Sequence, residues 1–148
     1  MIRLLATRDT LISFPMQLDI VTPEKKAFSN EIESVVVPGI QGELGILSAH
    51  APLVTTLAPG ELRYLKDGEE HSLAIGTGIV EISDDRVSVL TDMAMGENEI
   101  DEDAVEKALE SAQKAMTEKV LPEDIQAANI LIQKQIAQLH IKRRRKRV

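Results

Sequence analysis

The sequence predicts an α+β protein in which an N-terminal antiparallel β-sandwich is followed by a C-terminal antiparallel two-helix hairpin. Two observations carry this prediction. From residue 16 to about residue 95, short runs rich in β-branched residues alternate with turn residues, and this spacing is typical of a sandwich or barrel. From Gly96 onward the apolar residues recur with the period of an α-helix instead.

Four segments of the first part justify the sandwich. LDIVT and EIESVVVPG are β-branched runs, and the second ends at Pro38-Gly39. LRYL and HSLAI flank Lys66-Asp67-Gly68, and GIVEI and RVSVL flank Ser83-Asp84-Asp85. Tight turns of this composition between β-type runs predict two β-hairpins.

The second part has start signals and apolar stripes for two helices. Asp101 is a predicted N-cap, and Ile100 and Val105 occupy the positions of a hydrophobic staple. Pro122 suits the first position of the second helix. The many alanines allow close approach but bury little apolar area, so we expect a weakly held pair. The predicted stripes are Val105, Ala108, Leu109, Ala112 and Met116, then Ile125, Ala128, Ile132, Ile136 and Leu139.

We divide the chain into three parts on this basis. Residues 1–15 are predicted to be a flexible extension. The alternative is that translation starts at an upstream start codon in place of Met16. Residues 16–98 form the sandwich, a docking domain, and residues 99–148 form the helical hairpin with a basic tail. The longest apolar runs are a few residues, so no membrane-spanning helix is expected.

Charge is distributed unevenly along the chain. The formal net charge is −7, yet six cations follow one another near the C-terminus without an acid among them. The preceding residues 1–141 hold eleven Lys and Arg against twenty-four Asp and Glu. Blocks of like charge are commonly solvated and bear interactions. The basic tail consists of Lys142, Arg143, Arg144, Arg145, Lys146 and Arg147.

The residues that carry chemistry are sparse. The chain has no Cys, and His50, His71 and His140 lack the spacing of a metal pair. There is no phosphate-binding loop and no nucleophile elbow, and the adjacent acids lie in predicted turns, where they stay solvated. We therefore predict no catalytic residue, no metal and no cofactor, and a protein that is not an enzyme. A small β-sandwich enzyme is the minor alternative.

The most distinctive segment, residues 38–60, holds four Gly and three Pro. We predict an exposed docking loop here, with an elaborate sandwich loop as the alternative. Its motifs are Pro38-Gly39, GELGIL from Gly42, HAPL from His50, and Pro59-Gly60. Further on stand GTGIVEI from Gly76 and VSVLTDMA from Val87.

In this order the motifs resemble the epsilon subunit of the F-type ATP synthase, over roughly residues 16–143. The resemblance implies a non-catalytic subunit of the rotating central stalk, which links the gamma subunit to the ring of c subunits and couples ion transport to ATP synthesis. It also implies that the helices inhibit ATP hydrolysis by extending toward the catalytic alpha and beta subunits. The expected location is the cytoplasmic face of the bacterial inner membrane, peripheral through the complex, with an organelle matrix or stroma as the alternative.

Site residues are carried over position by position. Glu43, Leu44, Gly45 and His50 match the segment of the family that contacts the c-ring, and we expect Glu43 to pair with basic residues of the ring. The basic tail, Lys142–Arg147, is expected to bind an acidic segment of the catalytic subunits. Its alternative is a nucleic-acid-binding appendage, but the scarcity of aromatic residues argues against this, and we predict no nucleic-acid partner.

Two departures from the family pattern change the expectations. Ser48-Ala49 stands where the family usually has Pro-Gly before the HAPL motif, so the loop there is expected to differ in shape. Some bacterial members carry an ATP-binding signature, I/L-D-x-x-R-A, at the start of the first helix. Here Ala104 stands at the position of the Arg, so we predict no useful ATP binding.

Overall fold

A computed structural model of the chain describes residues 14–118 and 121–146, with only the backbone of Arg145 and Lys146. The predicted extension therefore lies almost wholly outside the described residues. Within them, ten strands are followed by a 3-10 turn at Glu97–Glu99 and two helices. The strands are β1 Met16–Val21, β2 Lys26–Ile32, β3 Ser34–Gly39, β4 Gly42–Leu47, β5 Leu53–Leu57, β6 Gly60–Lys66, β7 Glu69–Ile75, β8 Gly78–Ser83, β9 Arg86–Thr91 and β10 Ala94–Gly96, and the helices are α1 Glu102–Glu118 and α2 Pro122–Lys146.

The strands form two five-stranded halves of one sheet. One half has the order β10-β7-β6-β3-β4 and the other β5-β8-β9-β1-β2. A single pairing between Gly39 and Leu57 joins the halves. Both halves contribute alternate apolar side chains to one core. Its members are Met16, Leu18, Ile20, Ile32, Val35, Val37, Ile46, Leu57, Leu62, Ile75, Val80, Ile82, Val87, Val89 and Ala94.

Both predicted hairpins are present. β6 pairs with β7 and β8 pairs with β9, each antiparallel in continuous register. The turn residues have left-handed backbone angles, with φ of 53° at Asp67 and 78° at Gly68, and 51° at Asp84 and 59° at Asp85. Two consecutive residues of positive φ match the right-handed twist of the strands, which is why Asp and Gly occupy these turns.

One strand pair departs from the antiparallel pattern that the sequence predicts. β1 lies parallel to β9, with Leu18 opposite Val87 and Ile20 opposite Val89. No tight turn joins these strands, because the rest of the sandwich lies between them in the chain, and parallel pairing requires such a long connection. The prediction of a sandwich followed by a helical hairpin is otherwise confirmed.

The predicted helix starts are confirmed as well. Asp101 is the N-cap of α1, since its carboxylate accepts a hydrogen bond from the Ala104 amide at 3.2 Å. Ile100 and Val105 are both buried in a second apolar cluster between the helices and the sandwich, as a hydrophobic staple requires. α2 begins at Pro122. The division between residues 98 and 99 stays a prediction.

The apolar stripe predicted for α2 is partly wrong. Ile136, a predicted member, is 50% exposed, whereas Ala137 and Ile141, which were not predicted, are buried. The reason is that the end of α2 contacts α1 on one side and β6 and β7 on the other. Ala137 and Ile141 share a helix face and join Ala74 of β7 in the second cluster, while Ile136 lines the open groove beside Leu109 of α1.

Candidate functional site

Residues 38–60 are not the exposed loop that the sequence predicts. β3 and β4 form an antiparallel hairpin whose register runs from Ser34 opposite Leu47 to Gly39 opposite Gly42. Ile46 is buried in the core, and burying this apolar side chain favours a strand over a loop. The turn between the strands carries Ile40, which is 63% exposed. The segment therefore presents a β-hairpin with an apolar tip.

Glu43 lies on β4 near this tip and is paired within the chain. Its two carboxylate oxygens accept hydrogen bonds from the Arg63 guanidinium on β6, at 2.8 and 3.3 Å. These hydrogen bonds lower the pKa of Glu43 from its ordinary value and raise that of Arg63. Bidentate pairing of this kind fixes geometry as well as charge. A basic group from a partner would have to share Glu43 with Arg63.

The other three predicted contact residues have different environments. Leu44 is half-buried and packs against the core. Gly45 is exposed on β4 opposite Val36, and a Cβ there would meet no atom within 4 Å. His50 lies in the loop between β4 and β5, where its Nδ1 is 2.7 Å from the Ala51 carbonyl oxygen.

The structure brings three of these four residues together and separates the fourth. Glu43, Leu44 and Gly45 are consecutive on β4, whereas His50 follows the opposite end of the strand, about 13 Å or more from Glu43 along its axis. The loop around His50 is held near the β8–β9 turn, because the Ala49 amide donates to the Asp85 carboxylate at 2.6 Å. The predicted contact site thus consists of two ends of one strand.

The basic tail is largely the last part of α2, and three of its cations contact glutamates elsewhere in the chain. Lys142 Nζ donates to the Glu97 carbonyl oxygen at 3.3 Å. Arg143 contacts Glu102 at 3.1 Å and also Glu106, both on α1. These contacts between the end of α2 and the start of α1 show that the helices are antiparallel. The side chains of Arg145 and Lys146, and residue Arg147, lie outside the described part of the chain.

Arg144 is the third bound cation and reaches the sandwich. Its Nη1 donates to Glu61 Oε1 on β6 at 2.9 Å, and its Nη2 donates to Ser72 Oγ on β7 at 2.7 Å. Glu61 also accepts a hydrogen bond from Arg63 at 3.2 Å. A continuous series of charged contacts therefore runs from Glu43 through Arg63 and Glu61 to Arg144.

Sequence reasoning missed this series. The available signal was the spacing of Glu61 and Arg63, which places both side chains on one face of a strand. That face is opposite Leu62, which is buried in the core. The distant partners could not be recognised in the sequence, since Arg144 is 83 residues from Glu61.

A second surface lies on the other half of the sandwich. Val21, Leu90 and Ile79 are neighbours across β1, β9 and β8, and all three are exposed. We call them the apolar row. Exposed apolar side chains that adjoin one another offer apolar area to a partner, whereas single ones are ordinary on a protein surface.

Other chemistry is not brought together in the described part of the chain. No group of three or more His, Asp or Glu residues there could hold a metal ion. His71 stacks on the Tyr64 ring, with centroids 5.1 Å apart. Ala104, which stands where the family's ATP-binding signature has Arg, donates its amide to the Asp101 carboxylate at the start of α1. The absence of ATP binding stays a prediction. Among the described residues, neither helix is both long and apolar enough to cross a membrane.

The fold defines a small α+β protein, a β-sandwich that carries a docked helical hairpin. Residues 15–97 match the family model described as the beta-sandwich domain of the ATP synthase delta/epsilon chain. The ATP synthase epsilon chain of Herpetosiphon aurantiacus is 39% identical over 132 residues, which cover 89% of this chain and 97% of that relative. The epsilon chain of Desulforamulus reducens is 42% identical, over 81% of this chain and 91% of the relative.

The chain therefore belongs to the ATP synthase epsilon chain family, as its motifs predict. A solved structure shares the fold: a chain in the Euglena gracilis mitochondrial ATP synthase, OSCP/F1/c-ring in rotational state 1, matches with a TM-score of 0.72. It is 22% identical, and the match covers 85% of this chain and 79% of that chain. At this identity the likeness concerns the fold alone.

Proposed function

We propose that this chain is a non-catalytic rotor subunit of an F-type ATP synthase, which links the gamma subunit to the c-ring and inhibits ATP hydrolysis through its C-terminal helices. The observation that carries the proposal is the match over 89% of this chain and 97% of an ATP synthase epsilon chain. Coupling of ion transport to ATP synthesis then depends on the sandwich, and inhibition on the hairpin.

We assign the c-ring contact to β4 and the loop after it, at Glu43, Leu44, Gly45 and His50. The exposed Ile40 at the hairpin tip and the charge of Glu43 support this position. The test is Glu43→Lys, with Glu31→Lys on exposed β2 as the matched control. We expect Glu43→Lys alone to weaken assembly with the ring and ion pumping. Normal assembly and coupling in this variant would remove Glu43 from the contact.

We assign the contact with the gamma subunit to the apolar row. The outer face of β6 and β7 is covered by α2, whereas the apolar row, on the other half of the sandwich, is exposed and can bind a partner. Replacing Leu90 with Gln should weaken binding of purified gamma subunit. Leu131→Gln is the control, since Leu131 is a similarly exposed apolar residue on α2. Equal binding by both variants would contradict this position.

Inhibition is assigned to the basic tail, which would bind an acidic segment of the catalytic alpha and beta subunits once the hairpin leaves the sandwich. Clustered cations act together, and their binding should fall steeply with salt. Deleting residues 142–148 should relieve inhibition of ATP hydrolysis more than it weakens assembly. The control is Lys107→Gln with Lys114→Gln, which removes two exposed cations from α1. Unchanged inhibition after the deletion would refute the assignment.

The location that follows is the cytoplasmic face of the bacterial inner membrane, or the matrix or stroma side in an organelle, peripheral through the complex. The decisive experiment is recovery of the tagged chain from gently solubilised native membranes, with ATP hydrolysis measured with and without residues 101–148. Recovery of gamma, c and catalytic subunits, with faster hydrolysis after truncation, is expected. Failure to recover them would overturn the rotor assignment, and unchanged hydrolysis would overturn the inhibition.

A further inference from the structure

Glu61 is a carboxylate shared by two arginines. Its side chain is only 9% exposed, and its Oε1 accepts hydrogen bonds from Arg63 at 3.2 Å and from Arg144 at 2.9 Å. The second oxygen also contacts Arg144. A carboxylate removed from water in this way needs compensating cations. The two arginines therefore depend on the same few acceptor sites.

Arg63 divides its donors between two carboxylates. The same Nη1 that donates to Glu61 also donates to Glu43 at 2.8 Å, and Nη2 donates to Glu43 at 3.3 Å. Glu43 is the exposed end of the series, with 57% of its side chain accessible, against 24% for Arg63. A cation in solvent can thus reach Glu43 far more readily than it can reach Glu61.

Arg144 fastens the end of α2 to the sandwich. It contacts Glu61 on β6 and Ser72 on β7, and Ser72 lies directly opposite Arg63 in the strand register. The contact points of Arg63 and Arg144 are consequently neighbours on one sheet face. A change in how Arg63 uses Glu61 acts directly on the acceptor that holds α2.

We propose that Glu61 couples the exposed edge at Glu43 to the docking of α2. When an external ammonium or guanidinium group binds Glu43, Arg63 loses some of its hydrogen bonds to Glu43 and donates to Glu61 instead. The stronger contact between Arg63 and Glu61 weakens the contact between Glu61 and Arg144. Release of Arg144 in turn lets Glu61 take more of the Arg63 donors and leaves Glu43 freer for an external cation, since coupling between two sites is reciprocal. Only the identification of that cation with the c-ring rests on the proposed function.

The coupling can be tested in the isolated full chain. The sequence has no Cys, so a pair of spin labels at Glu69→Cys on β7 and His140→Cys on α2 attaches at these positions alone. Both residues are exposed, and neither belongs to the series. The distance distribution between the labels measures the fraction of molecules in which α2 has left the sandwich.

Three variants separate a coupled series from a simple latch. Glu61→Gln should raise the undocked fraction roughly tenfold or more, because it leaves Arg144 without its partly buried partner. Glu43→Gln should raise it about twofold to fivefold, the range of an exposed ion pair. In an Arg63→Gln background, Glu43→Gln should have no effect. Glu81→Gln, on exposed β8, is the matched control and should leave the undocked fraction unchanged.

Equal undocked fractions in Glu43→Gln and the parent chain would overturn the proposal, as would an effect of Glu43→Gln that persists without Arg63. Circular dichroism of each variant verifies that the sandwich is folded. The result is independent of the rotor assignment. If Glu43→Gln undocks α2 while Glu43→Lys assembles normally with the ring, the coupling stands and the ring contact fails. The opposite pair of results would overturn the coupling alone.

Discussion

Lys134 Nζ lies 2.5 Å from Asp92 Oδ2, and this contact joins the middle of α2 to the loop between β9 and β10. Thr77 Oγ1 donates to the same carboxylate oxygen at 3.0 Å. Gly76 lies beneath the pair, since a Cβ there would come within 2.0 Å of Asp92 Oδ1 and 3.0 Å of Lys134 Cε. The absence of a side chain at Gly76 thus permits the ion pair that docks α2 at a second point, away from Arg144.

Replacing Lys134 with Met, which keeps the length of the side chain, should weaken docking of α2 by about 0.2 to 1 kcal/mol, the range of an exposed pair. Urea unfolding at low salt measures the change. At about 1 M salt, where charges are screened beyond ~3 Å, the difference should shrink. Lys107→Met on α1 is the control, and an equal loss in both variants would show that the ion pair contributes nothing specific.

Gly78→Ala should destabilise the sandwich severely. A Cβ at Gly78 would lie 1.9 Å from the Leu90 carbonyl oxygen and 2.8 Å from the Thr91 Cα. These are backbone atoms of the paired strand β9, so the strands must separate locally, at a cost of about 1 to 3 kcal/mol or more. Gly45→Ala is the matched control, because a Cβ there meets nothing within 4 Å. Thermal unfolding compares the two, and similar melting temperatures would contradict the predicted clash.

Asp101→Ala should cost about 1 kcal/mol through loss of the N-cap. The amide of Ala104 would lose its acceptor, and the first turn of α1 should fray. Asp103→Ala, which removes an acid from the same turn but no capping bond, separates this loss from the helix-dipole effect. Hydrogen exchange of residues 102–106 provides the readout. Equal protection in both variants would mean that charge near the helix end, rather than capping, stabilises the turn.

The stability conferred by Asp19 should depend on pH. Hydrogen bonds from Ser29 and Gln17, together with the charge of Arg86, lower the pKa of Asp19 from its ordinary value of 3.8. Because the folded state favours the ionised form, the stabilisation is fully present above the unfolded pKa. It is lost as the pH falls through 3.8 toward the lower folded value.

The free energy of unfolding lost in Asp19→Asn should therefore be largest near neutral pH and should diminish below about pH 4. Unfolding in urea at a series of pH values measures it. Asp84→Asn is the control, because Asp84 lies in a turn with φ of 51° that Asn also tolerates. A loss in Asp19→Asn that stays constant down to the lowest pH would contradict the predicted ionisation.

Local chemistry was sufficient to predict much of this protein. Asp67-Gly68 and Asp84-Asp85 indicated the two tight turns, Asp101 and Pro122 indicated the helix starts, and the motifs around Gly42 and His50 indicated the family. Each of these signals acts over a few residues, because turn angles, capping bonds and apolar periodicity are set by near neighbours in the chain.

Tertiary structure alone decided which distant groups meet. β1 lies parallel to β9 rather than antiparallel, residues 42–47 form a strand rather than a loop, and Ile136 is exposed while Ala137 is buried. Three cations of the basic tail, Lys142, Arg143 and Arg144, contact Glu61, Glu97, Glu102 and Glu106. The physical reason is that the sequence pattern shows only that a side chain is apolar or charged. Its partner is determined by how distant strands pair and by how α2 packs on the outer face of β6 and β7.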